Sequence, residues 1–367
     1  MPLYMDFHII SDITIEGVKN DHIADKAVQD RYKVKYHQFW VNEAAGTVFC
    51  LIEGPDKESC AAVHREAHGN VACQIVEVEP GFYNLFIGEN HQIDHGMVRH
   101  EDGTVDIGYR FVLVIDIIGN TSVTRSVDYK KLKLPDKPKR LAISKINKFQ
   151  GKEVKHLGDD SIIAVFIASD DAVGCAVEIH NELREKSKNP EDSEWDISFK
   201  MGISGGQPVT ENEGFFEAAI KLAQRLSLIA GNQEIMASNL IEKLGDLNEK
   251  SGGLQSLKVI SLPEEKFMDS LFDIAENRLT DNNFNVESLS RDIGISRPQL
   301  YRKITSITGR SPIGFIRDLR MQKALSLIKE KQHNISEIAL EVGFNNPAYF
   351  AKCFQQKFGT LPSKAFS

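Results

Sequence analysis

The chain has 367 residues, 41% hydrophobic and 26% charged, which suits an ordinary globular protein of two or three domains. No apolar run reaches the roughly 18 residues of a membrane span, the N-terminus MPLYMDFHII has no signal-peptide pattern, and five scattered cysteines without CxxC spacing suit a reducing cytoplasm. The net charge is −8, yet residues 281–367 hold 13 Lys and Arg against 7 Asp and Glu, a net of +6, so a basic end that suits nucleic acid is joined to a body of −14.

Residues 1–88 alternate strand-like runs (LYMDFHII, TVFCLIEG, CQIVEVEPGFYNLFIG) with helical stretches near 23–33 and 57–68, an α+β pattern. Eight of the eleven histidines lie in the first 100 residues. VHREAH puts His64 and His68 four apart, on one helix face, where both imidazoles can reach one ion. A zinc peptidase needs a glutamate beside the first histidine, and here that neighbour is Arg65, so peptidase chemistry is not expected. A solvated helix face is the plain alternative. His8, on the first strand, is the third candidate, with Asp6 as a possible fourth; His22, His37, His91, His95 and His100 are weaker ones.

The motifs YMDFH and FCLIEGPDKESCAAVHREAHG, with the IVEV strand after them, resemble a small family of ferredoxin-like nickel-binding proteins. The resemblance implies a transition-metal site at His8, His64 and His68, and affinity order alone does not choose among nickel, zinc and copper. The polar stretch 89–107 reads as a linker.

Residues 108–245 form a second α+β pattern. An acid, Asp116, stands near the end of the strand YRFVLVIDI, and EVKHLGDDSIIAVF puts an acidic pair in a hairpin turn. Two such carboxylates suit a divalent metal with a triphosphate, or are simply turn acids. The region resembles a class III nucleotide cyclase domain. The resemblance implies Asp116 and Asp159 as metal ligands, Lys155 as the purine contact and Arg225, in FFEAAIKLAQRLSLIAG, as the transition-state arginine, all serving magnesium- or manganese-nucleotide. Lys221 stands where the family has an asparagine and Gly214 where it has a purine-selecting acid. Losing an orienting group costs a few kcal/mol of transition-state stabilisation, so the expectation is no enzyme but a vestigial nucleotide or dimerisation module.

A second linker is expected over 246–264, followed by helices over 265–367. NVESLSRDIGISRPQLYRKITSITG and NISEIALEVGFNNPAYFAKCFQQKFG each read as a short apolar helix, a glycine turn (Gly294, Gly343) and a capped helix starting at Ser296 or Asn346, with Gln299 completing a capping box. Between them SPIGFIRDLRMQKALSLIKE would span roughly 30 Å, near the roughly 34 Å between successive major grooves. Residues 265–367 resemble the AraC/XylS-type DNA-binding domain through ISEIALEVGFNNPAYFAKCFQQKFGTLPSKAF, with PSKAFS slightly short of the usual ending. On the first recognition helix Arg297, Gln299 and Arg302 can face DNA; on the second Ala348, Lys352 and Gln355 can, Lys352 suiting phosphate or base. Arg320 reads as structural.

The fold class is therefore two α+β domains, ferredoxin-like and cyclase-like, followed by an all-α double helix-turn-helix. The function expected is a cytoplasmic, homodimeric transcription regulator that binds double-stranded DNA and senses a small ligand, metal or nucleotide. The alternatives are an active metal-dependent cyclase with a DNA-binding tail and a metal-storage protein.

Overall fold

The structure is a computed structural model and describes residues 1–88, 91–119, 134–154, 161–188, 194–245, 254–330 and 333–366. The N-terminal unit runs β1 (Leu3–Ile9), α1 (Ile15–Val28), β2 (Lys35–Asn42), β3 (Thr47–Glu53), α2 (Lys57–Ala67), β4 (Gln74–Glu77) and α3 (Pro80–Ile87). β1 pairs antiparallel with both β3 and β4, and β3 with β2, giving the order β4-β1-β3-β2 of a ferredoxin-like sheet. α1 begins well before the expected 23–33, because Thr14 caps it by accepting from the Gly17 amide. PGFYNLFI, expected as the tail of a strand, is α3: proline at its first turn presets the helical backbone.

The segment 89–107 differs from the expected linker. It contributes β5 (Gln92–Asp94) and β6 (Met97–Arg99), which extend the first sheet next to β2. Beside it Arg110, fully buried, donates to the carboxylate of Asp106 and to the Phe86 carbonyl, while Asp106 also accepts from Trp40 Nε1. A buried charge held by that many partners fixes the crossing between units.

The middle unit contains β7 (Arg110–Gly119), α4 (Asp136–Lys148), β8 (Lys152–Glu153), β9 (Ser161–Phe166), α5 (Ser169–Lys188), β10 (Ile197–Gly206), α6 (Glu217–Ile229), β11 (Ile235–Ala237) and α7 (Asn239–Leu244). Its sheet runs β12-β11-β10-β7-β9-β8, where β12 (Leu257–Val259) comes from the segment expected as the second linker. Strand alternation gives β7 two faces. Phe111, Leu113, Ile115 and Ile117 join a core with α4 and α5, while Val112 and Val114 share a core with Met5, Phe7, Trp40 and Phe49 of the first sheet. The two α+β units thus meet across one continuous apolar layer, and the other face of the first sheet is covered by α1 and α2.

The helical unit comprises α8 (Leu262–Arg278), α9 (Val286–Ile293), α10 (Arg297–Thr308), α11 (Pro312–Glu330), α12 (Ile335–Glu341), α13 (Pro347–Phe358) and α14 (Pro362–Phe366). Leu226, Ile229 and Ala230, from α6 and its end, share a core with Phe267 and Leu271 of α8 and Leu300 and Ile304 of α10, so this unit is seated on the middle one. No described helix is long and apolar enough to cross a membrane.

Candidate metal centre and nucleic-acid interface

The histidine cluster is built from three elements. β1 carries Asp6 and His8, α2 carries His64 with His68 at its C-cap, and α1 lays Asp25 across them. His64 is 1% exposed and stands at the centre. Its Nε2 lies 2.7 Å from Asp6 Oδ2 and 3.0 Å from the Tyr36 hydroxyl; its Nδ1 lies 3.2 Å from His68 Nε2 and 3.3 Å from Asp25 Oδ1. Ligand atoms therefore gather in two groups that share His64, Asp6–His8–His64 and Asp25–His64–His68, each with its atoms within 4.8 Å of one another. The trio read from the sequence is divided, with His8 on one side of His64 and His68 on the other. Asp25 was missed in the sequence, although His22 and Asp25 stand three apart on one turn of α1, a spacing that could have found it.

The electrostatics follow from burial. Burial by itself would lower the His64 pKa, but the carboxylates of Asp25 and Asp6 overcome it and push it up to about 10. Asp6, fully buried, would be raised by desolvation, yet His8 and His64 hold it well below the usual carboxylate range. His22 has no such support: burial takes it down to about 4, and neither ring nitrogen has a hydrogen-bond partner among the described residues.

These residues fit a transition-metal ion. Among the described residues His8 Nε2 and Asp25 Oδ1 are buried and make no regular hydrogen bond, while lying in ion-pair range, His8 Nε2 3.1 Å from Asp6 and Asp25 Oδ1 3.2 Å from His68 and 3.3 Å from His64. A cavity of about 20 Å³ adjoins them, bounded by His8, His22, Asp25, His64 and His68. That volume holds one water or ion, and imidazole with carboxylate suits a borderline divalent metal. Arg65 pairs with Glu58, and Glu66 accepts from Arg31 and Tyr32, so neither enters the cluster.

Of the residues expected to serve a nucleotide, the two described ones, Asp116 and Arg225, line different cavities. Asp116 accepts from Ser161 Oγ at 2.5 Å and Ser227 Oγ at 2.6 Å, with Lys200 Nζ 3.8 Å away. Its cavity, about 330 Å³, is walled partly by Gln322 and Leu325 of α11 and Phe358 of α13. Arg225 turns to α8 instead, bonding Asp269 at 3.2 Å, Asp273 at 2.5 Å and Glu276 at 2.9 Å, and it lies over the Phe272 ring. Lys221 pairs with Glu213 and Asp273, and the Gly214 amide donates to Glu217. Lys155 and Asp159 lie outside the described residues.

The DNA-facing candidates sit on helices with well-formed starts. Ser296 accepts from the Gln299 amide and Gln299 returns a bond to the Ser296 amide, the expected capping box. Asn346 caps α13, with Pro347 at its first position, and Phe350, Phe354 and Phe358 are buried. Gly294 and Gly343 turn the chain with φ of 79° and 81°. Arg297, Gln299 and Arg302 on α10, and Ala348, Lys352 and Gln355 on α13, are all exposed. Arg297 is ion-paired with Glu287. Arg320 donates to the carbonyls of Leu279, Asp281 and Phe284, the structural role expected.

Comparison with known proteins agrees with both ends. Residues 289–367 match the family model described as "Helix-turn-helix domain", and residues 4–78 match "Nickel responsive protein SCO4226-like". Among curated relatives, "Histidine kinase P4" of Formosa agariphila is 38% identical over 105 residues, 29% of this chain and 8% of that protein. "HTH-type transcriptional activator RhaS" of Mannheimia succiniciproducens is 30% identical over 139 residues, 34% of this chain and 52% of that one. The chain thus spans about half or less of these relatives. Among solved structures, SCO4226 from Streptomyces coelicolor is 39% identical, aligned over 21% of this chain and 94% of its own, with a TM-score of 0.20. An adenylate/guanylate cyclase/hydrolase from Silicibacter pomeroyi is 25% identical over 37% of this chain and 78% of its own, with a TM-score of 0.30. The chain carries an AraC-type helix-turn-helix domain at its C-terminus and, over residues 4–78, a domain of the SCO4226-like type.

Proposed function

We propose that the protein is a cytoplasmic, DNA-binding transcription regulator whose affinity for DNA answers to a transition metal held in the histidine cluster. The observation that carries the DNA-binding part is the pair of capped helices α10 and α13, each with three polar or small side chains exposed for base edges and phosphates. α11, 19 residues and about 28 Å long, spaces them for successive major grooves. The metal part is supported by the buried donor atoms His8 Nε2 and Asp25 Oδ1, which make no regular hydrogen bond among the described residues, beside a cavity of ion size. Nickel is the metal favoured, because the N-terminal domain is similar to nickel-responsive proteins. Bound there, it would supply positive charge among buried carboxylates, held by one of the two groups that share His64, Asp6–His8–His64 or Asp25–His64–His68.

The route from metal to DNA is packing. The first sheet shares its core with β7, and the middle unit carries α8 and α10 on α6. A metal changes DNA affinity only if it binds the DNA-competent arrangement with a different affinity from the other. A nucleotide with magnesium or manganese would need Arg225 to leave its three carboxylates on α8, so the middle unit is read as a scaffold and not as a cyclase. A homodimer has to form elsewhere than on α6, whose apolar face is covered by α8 and α10.

Selection of duplexes from a random pool by the full-length protein tests the reading. Enrichment of two short motifs about 10–11 base pairs apart, centre to centre, is expected; recovery of unselected sequence would refute it.

A further inference from the structure

The surface between the two recognition helices does not close. A groove of about 620 Å³ runs between the flank of α10 that bears Arg297 and Tyr301 and the start of α13 at Tyr349, with Ile313 and Arg317 of α11 lining it. Its side chains stand unusually bare. Ile313 is 68% exposed, Tyr301 54% and Tyr349 53%. Large exposed apolar groups gathered at one place on a soluble domain mark a binding surface. Arg317 is exposed too, and neither it nor the two tyrosine hydroxyls makes a hydrogen bond or ion pair among the described residues. Its neighbours are already committed, Arg320 to three carbonyls and Arg297 to Glu287, and Glu287 is the one carboxylate among the described residues that line the groove.

Position and charge identify the occupant. Two helices reading successive major grooves must have one minor groove, with its two lines of phosphates, passing between them. With both helices so docked, the surface between α10 and α13 would face that strip. A free guanidinium flanked by two phenolic hydroxyls matches phosphate oxygens, and the ring and Ile313 surfaces can lie against sugars. We propose that Arg317, with Tyr301 and Tyr349, clamps the phosphate backbone of the DNA lying between the two recognition helices, so that base reading and register are supplied by different residues of the same domain. The assignment rests on the DNA-binding reading above.

The test is binding of the full-length protein to a fluorescent duplex of about 30 base pairs and arbitrary sequence, followed by anisotropy across salt from about 0.05 to 0.2 M. A phosphate contact made by one cation contributes about 0.9 to the slope of log K against log salt. Arg317→Ala is expected to reduce the slope by about that much and to weaken binding about tenfold at low salt, with thermal melting unchanged because the side chain is exposed. Arg317→Lys should keep the slope. The double change Tyr301→Phe with Tyr349→Phe should weaken binding severalfold at unchanged slope, because it removes neutral donors. If Arg317→Ala keeps the wild-type slope while Lys352→Ala lowers it, the clamp is wrong and the groove is left to a protein partner. If the wild type shows no salt-dependent binding at all, the DNA-binding reading falls and the clamp with it.

Discussion

His64 and Asp6, 58 residues apart in sequence, meet at 2.7 Å from Nε2 to Oδ2 in the N-terminal core. His64 belongs to both ligand groups, so its loss disables both. His64→Ala is expected to abolish stoichiometric nickel binding in calorimetry. Asp25→Ala should lower nickel affinity by at least about 100-fold with His64 intact, more than the 10- to 100-fold typical of residues that only orient a ligand. Nickel binding by Asp25→Ala at wild-type affinity would remove Asp25 from the site.

Metal removal gives a separate readout. A ligand present at about 100 times its Kd stabilises the folded state by about 2.7 kcal/mol. The melting temperature of the full chain should therefore rise with added nickel and fall on chelation, and the His64→Ala variant should not respond. A wild-type melting curve indifferent to nickel would count against the site.

Arg225 ties the middle unit to α8. It is 6% exposed, whereas its three carboxylate partners are 44–54% exposed in their side chains. Breaking a buried pair costs about 3–5 kcal/mol, and solvent screening of the acids reduces this. Arg225→Met should destabilise the protein by about 1–2 kcal/mol in urea unfolding. A cyclase would instead lose turnover and keep its stability.

The two turn glycines should differ although both have positive φ. A Cβ at Gly294 meets nothing within 4 Å, whereas one at Gly343 would run into the Leu279 carbonyl and the Arg320 guanidinium. Gly294→Ala should cost about 1 kcal/mol, the strain of the left-handed backbone. Gly343→Ala should cost clearly more, about 2–4 kcal/mol, because backbone must also move. Equal losses in thermal unfolding would show that the packing at Gly343 gives way easily.

On DNA, the recognition helices separate by the kind of contact. Arg302→Ala should cost about 1–3 kcal/mol on a selected duplex and relax preference at one base pair. Lys352→Ala should weaken all duplexes alike and reduce the salt slope by about one if its contact is phosphate. Quantitative binding to a set of single-base variants distinguishes the two.

Much of the C-terminal unit was legible because its signals are local. The Ser296–Gln299 box, Asn346 with Pro347, the turn glycines and the phenylalanine face all lie within a few residues of the structure they specify. The histidine cluster was half legible: i, i+4 spacing on α2 is local, while Asp25 arrives from another helix. β2, rich in aromatics but broken by Lys35, His37 and Gln38, lacks the clean alternation of a half-buried strand, and the two strands within 89–107 are only three residues each, too short to stand out from their polar neighbours. The role of Arg225 could not be read at all. Its partners lie 44 to 51 residues away, and only the docking of α8 on α6 brings them to it.

Metal in the N-terminal domain is proposed to change DNA binding at the other end of the chain. This coupling is tested most directly by the affinity of the full-length protein for one selected duplex, measured metal-free and with saturating nickel, in the wild type and in His64→Ala. Coupling free energies of this kind are typically about 1–3 kcal/mol. A change of about 5- to 150-fold is expected in the wild type and none in His64→Ala. Equal affinity of the wild type with and without nickel, under conditions where calorimetry shows the site filled, would contradict it.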